Sequence, residues 1–149
     1  LPDYTNYAMK GRTYRFYDGD VAYPFGFGLS YVDFKYKLVN STQSAYHLKD
    51  TIVATILVTN TGNMDAEELV QAYIEYPNLE RMPIKELKFF KKIMVPKGAV
   101  KTTNIMIPVS ELKKWDLTKN DWMLYPGNYK LVIGTNARDA KLTSAFQVK

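Results

Sequence analysis

Apolar residues occupy every second position in two segments of the chain, and this spacing is typical of β-strands with one buried face. Residues 52–59 and 69–76 both alternate in this way. Further segments are rich in the β-branched and aromatic residues that strands favour, and they span 32–39, 86–95, 100–107, 128–134 and 142–148. The sequence therefore predicts about seven strands and no long helix.

Turn signals separate these predicted strands. They lie at residues 60–63, 96–98 and 126–128, where glycine is combined with asparagine or proline. Many short strands joined by such turns favour an antiparallel sandwich over a parallel sheet. We therefore expect an all-β sandwich of the immunoglobulin or fibronectin type III-like kind. The one helical candidate is a short turn from Ser110 to Trp115, with Ser110 as its N-cap.

Tyr129 follows the Pro126-Gly127 turn and opens a predicted strand. A tyrosine in this position can form a tyrosine corner, in which its hydroxyl group bonds backbone a few residues upstream. The alternative is a tyrosine that only favours the strand conformation. The corner interpretation gives Tyr129 a structural role and supports the sandwich prediction.

The first 30 residues differ in composition from residues 31–149, to which we assign the sandwich. Eleven aromatic residues lie in the first 36 positions, and four glycines interrupt residues 1–30. This segment, called the leader below, is too apolar for a solvated tail and too rich in glycine for a long helix or strand. We expect it to be irregular and to pack on its own sandwich or on a neighbouring domain.

The candidates for a domain interface are aromatic side chains in the leader and at position 31, directly after it. They are Tyr14, Tyr23, Phe25, Phe27 and Tyr31. We expect the stretch from Leu1 to about Gly19 to be mobile unless a neighbouring molecule holds it. The stretch from Tyr23 to Phe34 is expected to pack on the sandwich through Phe25, Leu29 and Phe34.

Composition excludes several kinds of chemistry. The chain has no cysteine and a single histidine, His47, so thiol catalysis, iron–sulfur clusters and zinc sites built on cysteine are excluded. Asp18 and Asp20 come nearest to the carboxylate pair of a glycosidase, but they flank Gly19 in a sequence typical of a turn. We therefore predict no catalytic residue, no metal site and no cofactor in this chain.

The net charge of +5 is carried partly by a basic stretch that also contains Phe89 and Phe90. Its lysines are Lys85, Lys88, Lys91, Lys92, Lys97 and Lys101. Basic and aromatic residues together outline a nucleic-acid surface. We favour the alternative, an edge strand whose lysines prevent pairing with other molecules. Since the positive charge is spread along the chain, nucleic acid is not predicted as a partner. No apolar run is long enough to span a bilayer, so a membrane is not predicted either.

Trp115, Trp122 and Tyr125 lie close together in sequence near the predicted turn at residues 126–128. Flat aromatic rings at a surface could stack on sugar rings, as in a carbohydrate-binding module. The alternative, which we favour, is that these rings close one end of the sandwich.

Ordered blocks along the chain resemble one family of domains. They are Met9 to Arg15, Tyr23 to Tyr31, Val58 to Gly62, Glu68 to Tyr73, Pro83 to Phe90 and the segment from Trp115 to Gly134. These blocks resemble the C-terminal fibronectin type III-like domain of family 3 glycoside hydrolases and the segment that enters it. The resemblance covers essentially all 149 residues, with Phe89 standing where the family usually has glycine.

The resemblance implies a non-catalytic accessory domain, because the family carries its nucleophilic aspartate and its acid/base glutamate on two other domains. Those catalytic domains of the same polypeptide would be its partners. The parent would be a retaining, exo-acting β-glycosidase that degrades plant-type oligosaccharides without a cofactor. The form of residues 9–15 favours a β-xylosidase over a β-glucosidase. We expect a bacterial parent that is periplasmic or secreted.

Two other functions remain open at this point. One is a carbohydrate-binding module that uses Trp115, Trp122 and Tyr125. The other is a free-standing interaction or adhesion domain that is unrelated to hydrolysis.

Overall fold

The computed structural model describes residues 3–40 and 42–149, so Leu1, at the start of the leader, lies outside the described residues. The strands are β1 (Phe34–Asn40), β2 (Ala45–Tyr46), β3 (Thr51–Asn60), β4 (Ala66–Glu75), β5 (Lys85–Val95), β6 (Val100–Pro108), β7 (Lys114–Asp116), β8 (Asp121–Met123), β9 (Gly127–Gly134) and β10 (Leu142–Val148). One α-helical turn, α1 (Thr13–Phe16), lies in the leader. No helix among the described residues is long and apolar enough to cross a membrane.

Two sheets form the sandwich. One contains three strands in the order β1-β3-β6, and the other contains five in the order β2-β10-β9-β4-β5. The neighbouring strands are antiparallel except β2 and β10, which pair in parallel. The prediction of an all-β, fibronectin type III-like sandwich is confirmed. The short strands β2, β7 and β8 were not predicted, and β7 with β8 forms a separate hairpin.

The helical turn predicted from Ser110 to Trp115 is wrong in its extent and in its cap. A 3-10 helix spans only Val109–Leu112, it is preceded by Pro108, and no side chain caps it. Val109 and Leu112 are both buried, which directs one face of this turn into the core. The chain then becomes β7, because Trp115 pairs with Trp122 of β8.

The core lies between the two sheets and follows the alternation read from the sequence. Ile52, Ala54, Ile56 and Val58 of β3 are fully buried, while the residues between them are at least partly exposed. The inward residues of β4 face them from the other sheet. Removing this apolar surface from water stabilises the sandwich by roughly 25 cal/mol per Å² buried.

Asn60 closes the turn between β3 and β4. Its side-chain amide donates to the carbonyl oxygens of Met64 and Val95, both at 2.9 Å, and its Oδ1 accepts from the backbone N–H of Gly62 at 2.8 Å. Asn60 is completely buried, so each of these bonds offsets the cost of removing its polar atoms from water. Gly62 is required here because a Cβ would lie 2.4 Å from the side chain of Val32.

Tyr129 has the hydrogen bond of a tyrosine corner. Its hydroxyl group donates to the carbonyl oxygen of Tyr125 at 2.7 Å. The buried ring stacks on Phe146 and meets Tyr76 edge to face, with centroid distances of 5.7 and 5.5 Å. Burial raises the pKa of Tyr129 to about 12. Tyr129 thus holds the turn before β9 against the core.

We expect Tyr129→Phe to reduce the free energy of unfolding by about 1 kcal/mol, because one buried hydrogen bond is lost while the ring remains. Tyr125→Phe is the matched control, since its hydroxyl group bonds Asp116 in the β7–β8 hairpin rather than in the core. Urea unfolding of both variants measures the difference. Equal losses in the two variants would contradict the role assigned to Tyr129.

Candidate functional site

The outer face of the five-stranded sheet is partly buried, although one face of such a sheet is usually solvated. Val70 to Ile74 of β4 are all buried, so the strand is covered on both sides. Tyr73, Val132 and Ala137 form a second apolar cluster on the outer side, with Tyr14 and Leu87 packed against it. The leader supplies Tyr14 to this cluster and thereby covers the face.

Gln71 of β4 binds the leader directly. Its side-chain N–H group donates to the carbonyl oxygens of Gly26 at 3.0 Å and of Thr135 at 2.5 Å. Its Oε1 accepts from the Tyr73 hydroxyl group at 2.6 Å, and burial raises the pKa of that phenol. This buried amide therefore has partners at both ends, and one of them is leader backbone.

Gly26 lies so close to the sheet that no side chain fits. A Cβ at this position would lie 2.2 Å from Gln71 Oε1 and 2.8 Å from the Tyr73 hydroxyl oxygen. Its φ of +81° is also in the left-handed region that favours glycine. The preceding carbonyl group, of Phe25, accepts from the backbone N–H of Ala137 at 2.8 Å.

Tyr14 is the second point of attachment of the leader. Its hydroxyl group accepts from the backbone N–H of Leu87 at 3.1 Å, and its ring stacks on Phe25 at a centroid distance of 4.0 Å. The guanidinium group of Arg138 donates to the carbonyl oxygen of Gly19 at 2.5 Å. The leader therefore binds the sandwich at several residues on both sides of Gly19.

One expectation for the leader is wrong. Leu29 was expected to pack on the sandwich, but it is 93% exposed. Within the stretch up to Gly19, Tyr14 packs on the outer cluster, and the mobility expected of that stretch stays a prediction. Phe34 packs on the main core, whereas Phe25 contacts the sandwich through its carbonyl group, which accepts from the backbone N–H of Ala137, and its ring stacks on Tyr14.

Glu86 of β5 is the most connected charged group described. Its Oε1 accepts from Arg15 of the leader at 2.9 Å. Its Oε2 accepts from Lys114 of β7 at 2.5 Å, from the Tyr76 hydroxyl group at 2.9 Å and from Lys88 at 3.1 Å. One buried carboxylate thus joins the leader, the end of β4, β5 and the β7–β8 hairpin.

The charges around Glu86 decide its protonation. Burial opposes ionisation, but the hydrogen bond and charge of Lys114, the charge of Lys88 and the hydrogen bond from Arg15 outweigh it and lower the pKa of Glu86 to about 2. Burial also lowers the pKa of Lys114, which the bond to Glu86 partly offsets. The carboxylate is therefore charged throughout the physiological pH range.

The candidate interface residues divide into two groups. Tyr14 packs on the outer cluster, and Phe25, which is itself 45% exposed, stacks on the Tyr14 ring. Tyr23, Phe27 and Tyr31 are exposed, with Tyr31 at 97%. The rings of Tyr23 and Phe27 contact each other at 5.2 Å. The leader thus has one side bound to its own domain and one apolar side open to solvent.

The candidate sugar-stacking residues come together on the β7–β8 hairpin. Trp115 and Trp122 are opposite each other, with ring centroids 5.8 Å apart and planes at 75°. They are 45% and 56% exposed, so the interpretation that they close the end of the sandwich is wrong. Residues of the main core, among them Tyr76 and Leu112, are buried instead. The Tyr125 hydroxyl group donates to Asp116 at 2.7 Å.

The lysines of β5 lie at an edge of the five-stranded sheet, the position that the edge-strand interpretation requires. Three of them also pair with carboxylates, Lys85 with Glu75, Lys88 with Glu86 and Lys92 with Glu67. Their charges are therefore partly neutralised, which lowers the positive potential that a nucleic acid would need.

Sequence reasoning missed the polar residues that hold the leader, namely Gln71, Glu86, Arg15 and Lys114. One signal was available for Gln71, because it interrupts a continuous apolar run in β4. Such runs are typical of strands that are buried on both faces. No local signal distinguished Glu86 from the other acidic residues, because its partners lie far away in sequence.

The sandwich of a three-stranded and a five-stranded sheet has a fibronectin type III-like fold. Residues 68–137 match the family model of the "Fibronectin type III-like domain", which includes Gln71, Glu86 and the β7–β8 hairpin. This part of the chain is therefore similar to a fibronectin type III-like domain.

The relatives are longer proteins. The chain is 37% identical to a xylan 1,4-β-xylosidase of Xylanibacter ruminicola over 95% of its own length, and 36% identical to a putative β-xylosidase of Formosa agariphila over 97%. A β-glucosidase of Kluyveromyces marxianus is 31% identical, with a TM-score of 0.79 over 87% of the chain. The chain spans only 16% to 19% of the length of these three proteins. These findings confirm the resemblance to the fibronectin type III-like domain of family 3 glycoside hydrolases.

We expect Glu86→Gln to reduce stability by up to about 3 kcal/mol at pH 7, because the folded pKa of about 2 lies below the ordinary value of 4.5. A carboxylate whose pKa is lower in the folded state stabilises the fold at pH values above its unfolded pKa. This contribution is lost as the pH falls toward the folded pKa. The difference between parent and variant should therefore shrink from pH 4.5 toward pH 2. Glu67→Gln, in an exposed pair with Lys92, is the control and should change stability by less than about 1 kcal/mol. Urea unfolding across this pH range tests both, and a pH-independent difference would contradict the assignment.

We expect Gly26→Ala to release the leader from the sheet, because the added Cβ overlaps Gln71 and Tyr73. The amides of Ala137 and Leu87 lose their leader acceptors and should exchange about tenfold faster or more, as measured by hydrogen exchange. Gly28→Ala is the control, since a Cβ there has no atom within 4 Å and should leave exchange unchanged. Equal behaviour of the two variants would refute this account of the attachment.

Proposed function

We propose that this chain is the non-catalytic accessory domain of a retaining, exo-acting family 3 β-glycosidase, with the catalytic domains of the same polypeptide as its partners. One observation carries the proposal. The leader is clamped to the sandwich on one side and has exposed apolar side chains on the other. In this role the leader fixes the sandwich relative to the domain that precedes it.

The exposed side of the leader supports a protein partner. Leu29 and Tyr31 are 93% and 97% exposed, and Tyr4, Tyr7, Tyr23 and Phe27 are exposed as well. Large apolar side chains exposed together, as Tyr23 and Phe27 are in contact at 5.2 Å, are typical of interfaces. The hydrogen bonds of Phe25 and Gly26 to the sandwich hold the leader backbone in place, so these side chains stay exposed. In the proposed role, a partner domain covers them.

The carboxylates support a role without catalysis. A general acid in a glycosidase needs a raised pKa and a place in a cleft. Burial raises the pKa of Glu68, but its side chain accepts from Tyr36 at 2.6 Å. Glu68 lines neither the groove between the leader and the loop after β4 nor the groove beside the β7–β8 hairpin. Glu86 has a lowered pKa and is surrounded by cations.

We also propose that the parent is a β-xylosidase rather than a β-glucosidase, acting on plant-type oligosaccharides. The proteins named as β-xylosidases are 36% and 37% identical to this chain, and the Kluyveromyces marxianus β-glucosidase is 31% identical. To test the proposed β-xylosidase activity, the rate at which the longer polypeptide hydrolyses aryl β-xylosides is compared with its rate on aryl β-glucosides.

The packing role is tested by the double substitution Leu29→Glu with Tyr31→Glu. In the 149-residue chain this variant should unfold within about 0.5 kcal/mol of the parent, because surface substitutions away from contacts cost little. In the longer polypeptide the same variant should lower the unfolding temperature by several degrees, because two charges enter an apolar interface.

Met106→Glu is the matched control, an exposed apolar residue on the three-stranded sheet, away from the leader. It should leave the unfolding temperature of the longer polypeptide unchanged. If the leader variant and the control behave alike there, the proposed packing of the leader on the catalytic domains is refuted.

A further inference from the structure

The β7–β8 hairpin exposes two indole rings beside a groove that the packing role does not use. Trp115 lines the groove. The ring of Trp122 packs edge to face on the ring of Trp115, with a centroid distance of 5.8 Å. The hairpin is fixed at its base, because Lys114, next to Trp115, binds Glu86 and lies over the ring of Tyr76 at 4.7 Å. Trp115 is therefore a half-exposed ring held in place on a rigid element.

The groove has the size of a small-ligand site and a lining that is mostly polar. Its volume is about 410 Å³, within the range of such pockets. Trp115 and Tyr125 supply its aromatic wall, and Glu80, Arg81, Asp116 and Thr118 supply polar groups. Its acidic residues, Glu80 and Asp116, balance its basic residues, Arg81 and Lys114, so the lining is neutral overall. A neutral ligand fits such a lining better than an anion or a cation does.

The polar groups of the groove differ in how far they are already engaged. Asp116 accepts from the Tyr125 hydroxyl group at 2.7 Å and from the backbone N–H groups of Thr118 and Lys119 at 2.8 and 3.0 Å. Among the residues that the structure describes, Glu80 and Arg81 form no ion pair. One donor and one acceptor are thus available beside the Trp115 ring.

We propose that this groove binds a neutral pyranose unit of a β-linked oligosaccharide. A pyranose with equatorial hydroxyl groups presents a flat C–H face, which the electron-rich face of an indole attracts. Arg81 would donate to adjacent ring hydroxyl groups and Glu80 would accept from them, both as charge-assisted hydrogen bonds. The choice of β-linked xylose or glucose units rests on the proposed function, whereas the stacking and hydrogen-bonding chemistry does not.

The test is a titration of the 149-residue chain with xylotetraose and with cellotetraose, followed by tryptophan emission and by amide chemical shifts. We expect binding with a Kd of about 1 mM, typical of one stacked ring with few hydrogen bonds. The shifts should be confined to the hairpin and to residues 80–82. Sorbitol, a polyol without a pyranose ring, is the control ligand and should produce no saturable change.

Two variants separate the stacking ring from the hydrogen-bonding groups. Trp115→Ala should weaken binding at least tenfold, and Trp122→Phe should keep it within about threefold, because phenylalanine preserves the edge-to-face contact. Arg81→Asn should weaken binding about fivefold without altering the hairpin, since Arg81 has a φ of +64° that asparagine tolerates. Arg81→Asn keeps both indoles, so it remains informative if Trp115→Ala does not fold.

The proposal is overturned if neither oligosaccharide causes a saturable change at about 20 mM, or if Trp115→Ala and Arg81→Asn bind like the parent. A response equal to that of sorbitol would overturn it as well. None of these outcomes touches the exposed leader residues, so a failure here leaves the packing role standing. Conversely, sugar binding would persist if the leader variant refuted the packing role.

Discussion

The side-chain amide of Gln71 is the interaction on which the arrangement of the leader depends. A buried amide costs about 1–3 kcal/mol when it lacks a hydrogen-bond partner. Gln71 avoids this cost because Gly26 and Thr135 accept its N–H group and Tyr73 donates to its oxygen. The leader buries the amide and at the same time supplies one of its acceptors. Burial of the outer face and attachment of the leader are therefore one event.

Glu86 extends this coupling from the leader to the hairpin. A buried carboxylate is tolerated only when its charge is compensated and its oxygens are bonded, and both conditions are met here by groups from separate segments. Removing any one partner would leave the carboxylate partly unsatisfied. The leader and the β7–β8 hairpin, which are far apart in sequence, thus share one electrostatic centre.

The main strands could be predicted from the sequence because each is long enough to display the period of two. The alternation of β3 reappears directly in its burial, with Ile52, Ala54, Ile56 and Val58 inside. Strands β2, β7 and β8 have two or three residues and cannot show a period. The helix expected at Ser110 failed for the same reason, since local capping preference cannot anticipate the pairing of Trp115 with Trp122.

The leader was harder to predict because its side chains obey contacts rather than a period. Aromatic content indicated that it must pack, but it did not indicate which residues turn inward. Gly26 fixes the backbone at this point through its bond to Gln71, and the neighbouring Phe25 ring stacks on Tyr14. Leu29 lies three residues after Gly26 and is 93% exposed.

The proposed packing role depends on the division of the leader into a bound side and an open side. An extended segment held only at its ends would bend between them, but here Tyr14, Gly19 and Gly26 are each bonded to a different residue of the sandwich. Displacing the exposed aromatics relative to the sandwich would require breaking the Gln71 bonds or the Glu86 network. A partner that covers Tyr31 would therefore contact a surface that moves with the sandwich as one body, and its orientation would be transmitted through packed side chains rather than through a flexible linker.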